Sequence, residues 1–577
     1  MSERAFLEYT EGIVRNFIST AVFIDEEAYF PETNVNKHTE YVKKLKRPLT
    51  GIGTTGQIDL FTPLEQDSTP EETADPPPAS EDIELDVEHD LDAQKVMNTF
   101  SKRGIICSVL KPDRAEETTG DLLNSAKKAD VVILDWDLYS DNGERAKKII
   151  TAILSGDNSQ LKRLRLILIY TAEQVATVFD SLKNEEFVRS KAEANVDEER
   201  CSIAVDHCKI VIYTKNGTHF DAEESSVSIE GLPEVIIKEY AKISAGLLSN
   251  VAVQSVSAIR NNTHQLIANL KDTYDAAFVS HRALLPIPEA AGDFTTDIIL
   301  SEIGSLLESE KVEEIANGDA IKLWLDYKKL LEHKEFKIEI IDDAKKTPVC
   351  GVISREGVIS LIESGWPKKA NTGPDITVDG IPWKLNNASY NFMPTLLCQN
   401  DQKLADDTNK RFSILTTVKR FYADKKHTPY LTLGTIIQKH NRGGEDTFLL
   451  CIQPRCDCER VEWARDFSFL KLKKSNGEKT EIILESEKSE FLKFYVSYKS
   501  YETKLIKFKG REPTKRVFAG IQNGNFYFDS ADNNRYEWLG ELKRDYAQRI
   551  ANRYASHISR VGLDEYEWLR RSSGLVD

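Results

Sequence analysis

The chain has 577 residues, 40% hydrophobic and 29% charged, too long for one ordinary core; about three or four soluble domains are expected. Its net charge of −17 argues against nucleic acid as a partner of the whole chain, and no apolar run is long enough to cross a bilayer. The opening MSERAFLEYTEG lacks the apolar stretch of a secretory signal, and eight dispersed cysteines are no disulfide framework, so a reduced, cytoplasmic protein is expected.

A helix over Arg4 to Ser19 leads into an apolar strand, Ala21 to Ile24, which ends on Asp25-Glu26-Glu27. From about Pro31 to Asp90 apolar periodicity is lost in an acidic, Pro-rich stretch, which is expected to be a disordered insertion. LDAQKVMNTFSKRG then reads as an amphipathic helix stopped by Gly104, followed by a strand from Ile105 to Leu110. A helix over Gly120 to Lys128 precedes the strand Asp130 to Leu134, and a helix over Gly143 to Leu154 precedes the strand Leu164 to Tyr170. A helix near Ala172, a strand over Cys208 to Tyr213 and a helix from Pro233 complete the alternation. Short apolar strands alternating with helices predict an α/β fold, a doubly wound five-stranded parallel sheet covered on both faces. Ligands of such sheets bind beyond the carboxyl ends of the strands.

Helical patterning continues from Glu234 to about Lys271, which is too long for one covering helix. It is expected to extend outward as a connecting or dimerising helix, with Gly246 as a candidate break, and further helices run to about Leu331. From about Phe336 the chain has strand-like runs with turns between them, including PYLTLGTIIQKH, TFLLCIQP and FSFLKLKK, and ends with a helix over Tyr536 to Ser559. The expected division is a receiving domain over 1–245, a helical connector over 246–335 and an α+β C-terminal domain over 336–577.

Four strand ends carry suggestive residues: Asp25 and Glu26 after the first, Asp135 after the third, Thr171 after the fourth and Lys215 after the fifth. In a parallel doubly wound sheet those ends share one edge. Three carboxylates gathered there repel one another, and Mg²⁺, which prefers oxygen ligands and keeps waters, is the natural remedy. A carboxylate in that setting can attack phosphorus and form an acyl phosphate, with Lys215 neutralising charge and the Thr171 hydroxyl donating to a phosphoryl oxygen.

The run VVILDWDLYSDNG resembles the receiver domains of two-component response regulators, with Asp135 as the phospho-acceptor and Gly143 eight residues later opening a helix. FIDEE is similar to the acid pair of that family, at Asp25 and Glu26, and LILIYTAEQ to its fourth strand, at Thr171-Ala172. The resemblance covers about two-fifths of the chain without the insertion. It implies a receiver/flavodoxin-like fold and a Mg²⁺ site made by Asp25, Glu26, Asp135 and the backbone carbonyl of Asp137. It further implies phosphoryl contacts from Thr171 and Lys215, and a histidine kinase as the phosphoryl donor. Departures from the family's pattern are Tyr139 where it has Pro, Asn216 after Lys215 where it has Pro, and Ile212 at its usual aromatic position. Such atypical receivers resemble those of bacterial conflict (phage-defence) gene clusters.

Other groups carry less. Cys451, Cys456 and Cys458 with His440 lack the paired spacing of a zinc site and read as structural cysteines, as do Cys201 and Cys208 near His207. His264 and His281 have no evident catalytic partner. Basic residues from Lys504 to Arg516, and Lys543, Arg544, Arg549, Arg553 and Arg560, are interleaved with aromatics as in nucleic-acid binders. The plainer reading is a solvated face paired with Glu541, Asp545 and Glu565, with Trp538, Leu542, Tyr546, Ile550 and Tyr554 as core contacts. No nucleophile–base pair marks the C-terminal part as an enzyme. Beside the phosphorylated signalling protein, a pseudo-receiver scaffold and a nucleic-acid-binding effector are the alternative readings.

Overall fold

The computed structural model describes residues 2–30, 91–114, 120–160, 164–191, 194–215, 225–342, 347–366, 374–378, 380–384, 392–420, 428–441, 443–476, 479–486, 490–512 and 514–559. The acidic stretch from Pro31 to Asp90, with Asn216, Arg560 and Glu565, lies outside them. The chain divides into two compact units, Val14–Ile243 and Met1–Ile13 together with Ser244–Asp577.

In the first unit the strands are β1 (Thr20–Ile24), β2 (Ile106–Leu110), β3 (Val131–Leu134), β4 (Arg165–Thr171), β5 (Asn195–Asp197), β6 (Ser202–Val205), β7 (Cys208–Lys215) and β8 (Ser226–Val227). The helices are α1 (Ser2–Phe17), whose end belongs here, α2 (Ala93–Ser101), α3 (Gly120–Lys128), α4 (Glu144–Gln160), α5 (Val175–Lys183) and α6 (Leu232–Ile243). Strand order is β2-β1-β3-β4-β7-β6-β5, with β8 also paired to β7. The first five in that order run parallel, as does β8 on β7, whereas β6 and β5 are antiparallel.

The sheet is therefore eight-stranded and mixed, not the five-stranded parallel sheet expected from the alternation of elements. The difference lies at one edge. Ser202 to Val205 folds back on Cys208 to Val211 through the two-residue turn Asp206-His207, with Asp206 at φ 53. This hairpin and β8 pair the open edge of β7, whose unpaired N–H and C=O groups would otherwise invite association.

Side chains alternate between two cores, as strands buried on both faces require. Val22, Ile24, Val132, Leu134, Ile167 and Ile169 meet α3, α4 and α5 on one face. On the other, Ala21, Phe23, Val131, Ile133, Leu166 and Leu168 meet α2, α6 and the end of α1. Each such aliphatic side chain contributes about 1.5–3 kcal/mol of burial free energy.

Arg165, the first residue of β4, is fully buried. Its Nη1 donates to the carbonyls of Ala126 (2.7 Å) and Ala129 (3.0 Å) and its Nη2 to that of Lys127 (2.9 Å). These are last-turn carbonyls of α3, or lie just past it, which the helix cannot satisfy itself. Arg165→Met is expected to leave them unpartnered and to cost about 3 kcal/mol, read as a lower urea midpoint at an unchanged slope.

In the second unit the helical run breaks. It forms α7 (Leu247–Asn261), α8 (Thr263–Asn269), α9 (Asp275–Leu284), α10 (Ala291–Ser309) and α11 (Gly318–Tyr327). The helical run expected over 234–271, with Gly246 as a candidate break, forms α6, α7 and α8, interrupted at Ser244–Gly246, where that glycine lies, and again at Asn262. Gly246 has extended backbone, φ −157 and ψ 147, and stands as the N-cap of α7.

A four-stranded antiparallel sheet follows, β9 (Glu335–Asp342), β10 (Thr347–Ser354), β11 (Asp375–Val378) and β12 (Ile381–Lys384), with α12 (Arg355–Ser364) packed on it. After α13 (Gln402–Thr417) come β13 (Thr435–Lys439), β14 (Thr447–Cys451), β15 (Ala464–Lys474), β16 (Ile482–Glu485) and β17 (Phe491–Val496). They join β18 (Lys504–Lys509), β19 (Gly520–Gln522), β20 (Asn525–Asp529) and β21 (Arg535–Glu541) in a nine-stranded antiparallel sheet, before α14 (Arg544–Ile558). The final helix is shorter than expected, because Arg535 to Glu541 is a strand paired with β13 on one side and β20 on the other. Trp538 and Leu542 match helical spacing by coincidence, and extended Lys543 is the residue at which the helix begins.

Candidate functional site

The carboxyl ends of β1, β3 and β7 place four charged side chains together. Asp135 donates its N–H to the carbonyl of Ile24 (2.9 Å), and Asp25 donates its own to Leu110 (3.2 Å), so the ladder carries both acids one residue past their strands. Asp25 is fully buried, Asp135 nearly so, and Glu26 partly. Carboxylate oxygens of Asp25, Glu26 and Asp135 lie within 4.8 Å of one another. Lys215, the last residue of β7, reaches into this group. Its Nζ is 2.9 Å from Asp135 Oδ2 and 3.3 Å from Asp25 Oδ2.

A backbone donor holds one oxygen of each acid. Asp25 Oδ1 accepts from the N–H of Glu27 (2.8 Å), Asp135 Oδ1 from that of Trp136 (2.7 Å) and Glu26 Oε1 from that of Tyr139 (2.8 Å). Glu26 Oε2 is buried and has no hydrogen-bond partner. An unpartnered buried carboxylate oxygen is costly, and beside two further carboxylates it is the kind of donor set a hard divalent cation takes.

Burial pushes the Asp135 carboxyl up to about 6; Lys215 pulls against that and Asp25 adds to it. Burial also raises Glu26. Burial alone would lower Lys215, but the Asp135 and Asp25 carboxylates outweigh it and hold the amine above its usual range. At neutral pH Asp135 and Lys215 are therefore both charged, and the one ammonium is shared between Asp135 and Asp25.

Thr171 ends β4 in register with Thr214, is buried, and its Oγ1 accepts from the N–H of Glu173 (3.0 Å). The side chain of Asp137 is used within the following loop, where Oδ1 accepts from the N–H of Asn142 (2.9 Å). That loop runs left-handed at Tyr139 (φ 62), Ser140 (φ 56) and Asn142 (φ 52). A proline ring cannot adopt φ 62, which accounts for Tyr139 at that position. The Tyr139 hydroxyl donates to the Pro112 carbonyl (2.5 Å), and Arg145 lies 5.2 Å from its ring centre. The donor roles of Trp136 and Tyr139 are not visible in the sequence, because both act through main-chain N–H groups that any residue type other than proline supplies.

The remaining candidates form no further metal-ligating group among the described residues. His440 is bonded to Glu537 (2.9 Å) and Asp446 (3.3 Å), while Cys451 and Cys458 are buried in the core and Cys456 is exposed. The Asp25, Glu26 and Asp135 group is the one cluster with metal-ligating geometry among the described residues. His281 packs on Phe294, ring centres 4.7 Å apart, and among the described residues neither it nor His264 makes an ion pair with a carboxylate. Several basic side chains of the C-terminal part are paired: Lys473 with Glu502, Lys515 with Glu462, Arg516 with Asp293 and Glu459, Arg544 with Asp297, and Arg553 with Glu481. The expected partner Glu541 is taken by Lys419.

The first unit is thus a parallel-dominated α/β sheet with three acids and a lysine at its carboxyl edge. Residues 17–220 match the family model of the response receiver domain, and this segment is a receiver of the response-regulator family. A receiver at residues 17–220 suggests response-regulator-like signalling and implies a phosphodonor partner. No curated protein and no solved structure matches the chain. Among the described residues no helix is long and apolar enough to cross a membrane.

Proposed function

We propose that the chain accepts a phosphoryl group on Asp135 from a phosphohistidine of a partner histidine kinase. The change would act through the helical and C-terminal regions, as output or as phosphate buffering. The observation that carries this reading is Lys215 Nζ at 2.9 Å from Asp135 Oδ2, beside Asp25 and Glu26.

Above about pH 6 Asp135 is ionised, and its Oδ attacks phosphorus. The new O–P bond gives an acyl phosphate as the N–P bond of the donor breaks. The leaving imidazole keeps that electron pair and departs neutral because its other ring nitrogen carries a proton in the reacting phosphohistidine. Lys215 is placed to follow the developing charge from the carboxylate onto a phosphoryl oxygen, and the Thr171 hydroxyl to donate to another. Asp25, Glu26 and Asp135, with the Asp137 carbonyl, are the residues that would hold Mg²⁺, and the unpartnered Glu26 Oε2 supports that assignment. The bound ion would supply charge neutralisation for the acids and the incoming group.

The reading assigns no enzymatic activity to the C-terminal part. A homodimer belongs to it, supported by the exposed apolar Leu248, Ile267 and Leu270 on and after α7 and α8. A phage-defence setting rests on the likeness to receivers of bacterial conflict gene clusters, an association of fold and not of site.

Acetyl phosphate and Mg²⁺ are expected to add one phosphoryl group to the protein in an intact-mass measurement, and none to the Asp135→Asn variant. No gain on the unaltered protein would leave the pseudo-receiver scaffold as the better account.

A further inference from the structure

In the second unit, a cavity of about 540 Å³ opens between the last turn of α13, the start of β16 and one face of α14. Its volume lies in the range of sites that enclose small molecules. Arg549 and Arg553, one turn apart on α14, line it together with Tyr498, Tyr546 and Glu481. Each guanidinium lies over a phenol ring: Arg549 is 4.6 Å from the ring centre of Tyr546 and Arg553 is 4.7 Å from that of Tyr498.

The one carboxylate in the lining is already engaged. Glu481 Oε1 accepts from Arg553 Nη1 (2.7 Å) and the Tyr498 hydroxyl (3.0 Å), and Oε2 from the N–H of Val496 (2.8 Å). The Tyr546 hydroxyl donates to the Glu481 carbonyl. This network fixes both rings, and the rings in turn carry the two forks. Arg549 has no ion-pair partner among the described residues, so the cavity wall holds one more cation than it can neutralise. A guanidinium stacked on a ring keeps its N–H edge open, the geometry that grips a phosphate in two places.

The part of the lining contributed by α13 has the other polarity. The hydroxyls of Ser413, Thr416 and Thr417 donate to helix carbonyls at 2.7–3.1 Å. What they present outward is therefore acceptor lone pairs, at the negative end of the α13 dipole. A ligand that satisfies both parts of the lining has a dianionic group at one end and hydroxyl donors at the other.

We propose that this cavity is a binding site for a sugar phosphate, free or within a nucleotide, with Arg549 and Arg553 on the phosphate and the α13 hydroxyls on the sugar. Burial, with the Glu481 carboxylate behind it, pushes the Tyr498 phenol up to about 12, so this ring remains a neutral, hydrogen-bonding support throughout the physiological range.

The test is calorimetric titration of the full chain with ribose 5-phosphate, adenosine 5′-monophosphate and inorganic phosphate. The expected result is saturable binding of one or both sugar phosphates, tighter than inorganic phosphate, and weakened about tenfold or more by Arg549→Gln, the loss of a charge-assisted bidentate contact. Arg549 is exposed and among the described residues has no ion pair, so an unchanged thermal midpoint checks that the variant is folded. Arg549→Lys is expected to bind in between, since a point charge lacks the fork. Ribose 5-phosphate alone binding identifies a free sugar phosphate, and adenosine monophosphate binding more tightly identifies a nucleotide. No binding of either, equal binding of inorganic phosphate, tighter binding of a single-stranded oligonucleotide, or indifference to Arg549→Gln would each overturn the proposal.

Discussion

Lys215→Met is expected to destabilise the receiver by about 3–5 kcal/mol at neutral pH without divalent cation, the usual cost of removing one partner from a buried charge cluster. Lys215 Nζ is shared by Asp25 and Asp135, and methionine keeps most of the apolar stem while removing the ammonium from both acids. The pH dependence follows from the signs. The Asp135 carboxyl is raised from its ordinary value to about 6. Its contribution is therefore full below about pH 4 and is lost as pH rises through 6. Lys215 is raised too, so its contribution is present throughout that range and is lost only above its ordinary value. The variant loses the lysine's contribution and suffers a larger penalty from Asp135, so its stability should fall more steeply than that of the unaltered protein between pH 4 and 7. Mg²⁺ should restore much of the loss at neutral pH, because it supplies the missing positive charge to the same oxygens. Urea melts at pH 5 and 7.5, with and without Mg²⁺, measure all of this. Equal stabilities at pH 7.5 without the ion would mean that the four charges are not coupled as described.

Much of the receiver was legible because each element keeps its own period. Val131 to Leu134 and Arg165 to Thr171 are buried at every position, and continuous apolar runs between amphipathic helices imply that burial. Gly104, at φ 73 after α2, gave the stop signal expected of it. The hairpin of β5 and β6 was missed since Asn195–Asp197 is too short and polar to show alternation. Tyr536 to Glu541 was misjudged for a different reason. Trp538, Leu542, Tyr546, Ile550 and Tyr554 recur every four residues, but the first two fall before the helix, and cross-strand pairing with β13 decided their conformation.

Asp25, Glu26, Asp135 and Lys215 could be nominated because parallel strands put their ends on one edge, whatever the distance in sequence. What could not be read is how the acids are oriented. The N–H groups of Glu27, Trp136 and Tyr139 do that, and a main-chain donor leaves no mark on residue type. The cavity of α13, β16 and α14 was equally hidden, since its lining is drawn from positions spread between Ser413 and Arg553. From the sequence, Arg549 and Arg553 read as part of a solvated basic face.

Gly143→Ala is the substitution expected to disable the site without touching a charged residue. Gly143 sits at φ 85, and a Cβ there would lie 2.2 Å from two carbons of the Trp136 ring. Left-handed backbone costs an alanine about 1–2 kcal/mol, and forcing a buried ring aside adds about 1–3 kcal/mol. The two effects can be separated, because Gly104 has a similar φ of 73 with nothing within 4 Å of its Cβ position. Gly104→Ala should show the backbone cost alone, and the difference between the variants in urea melts gives the clash. The functional consequence follows from the neighbour in sequence. Trp136 donates the 2.7 Å hydrogen bond to Asp135 Oδ1, so a ring pushed off Gly143 pulls that N–H from the acceptor carboxylate. Gly143→Ala should therefore slow phosphorylation by acetyl phosphate even where the protein remains folded, while Gly104→Ala should leave the rate unchanged. Equal rates in both variants would show that Trp136 is a core side chain and does not position Asp135.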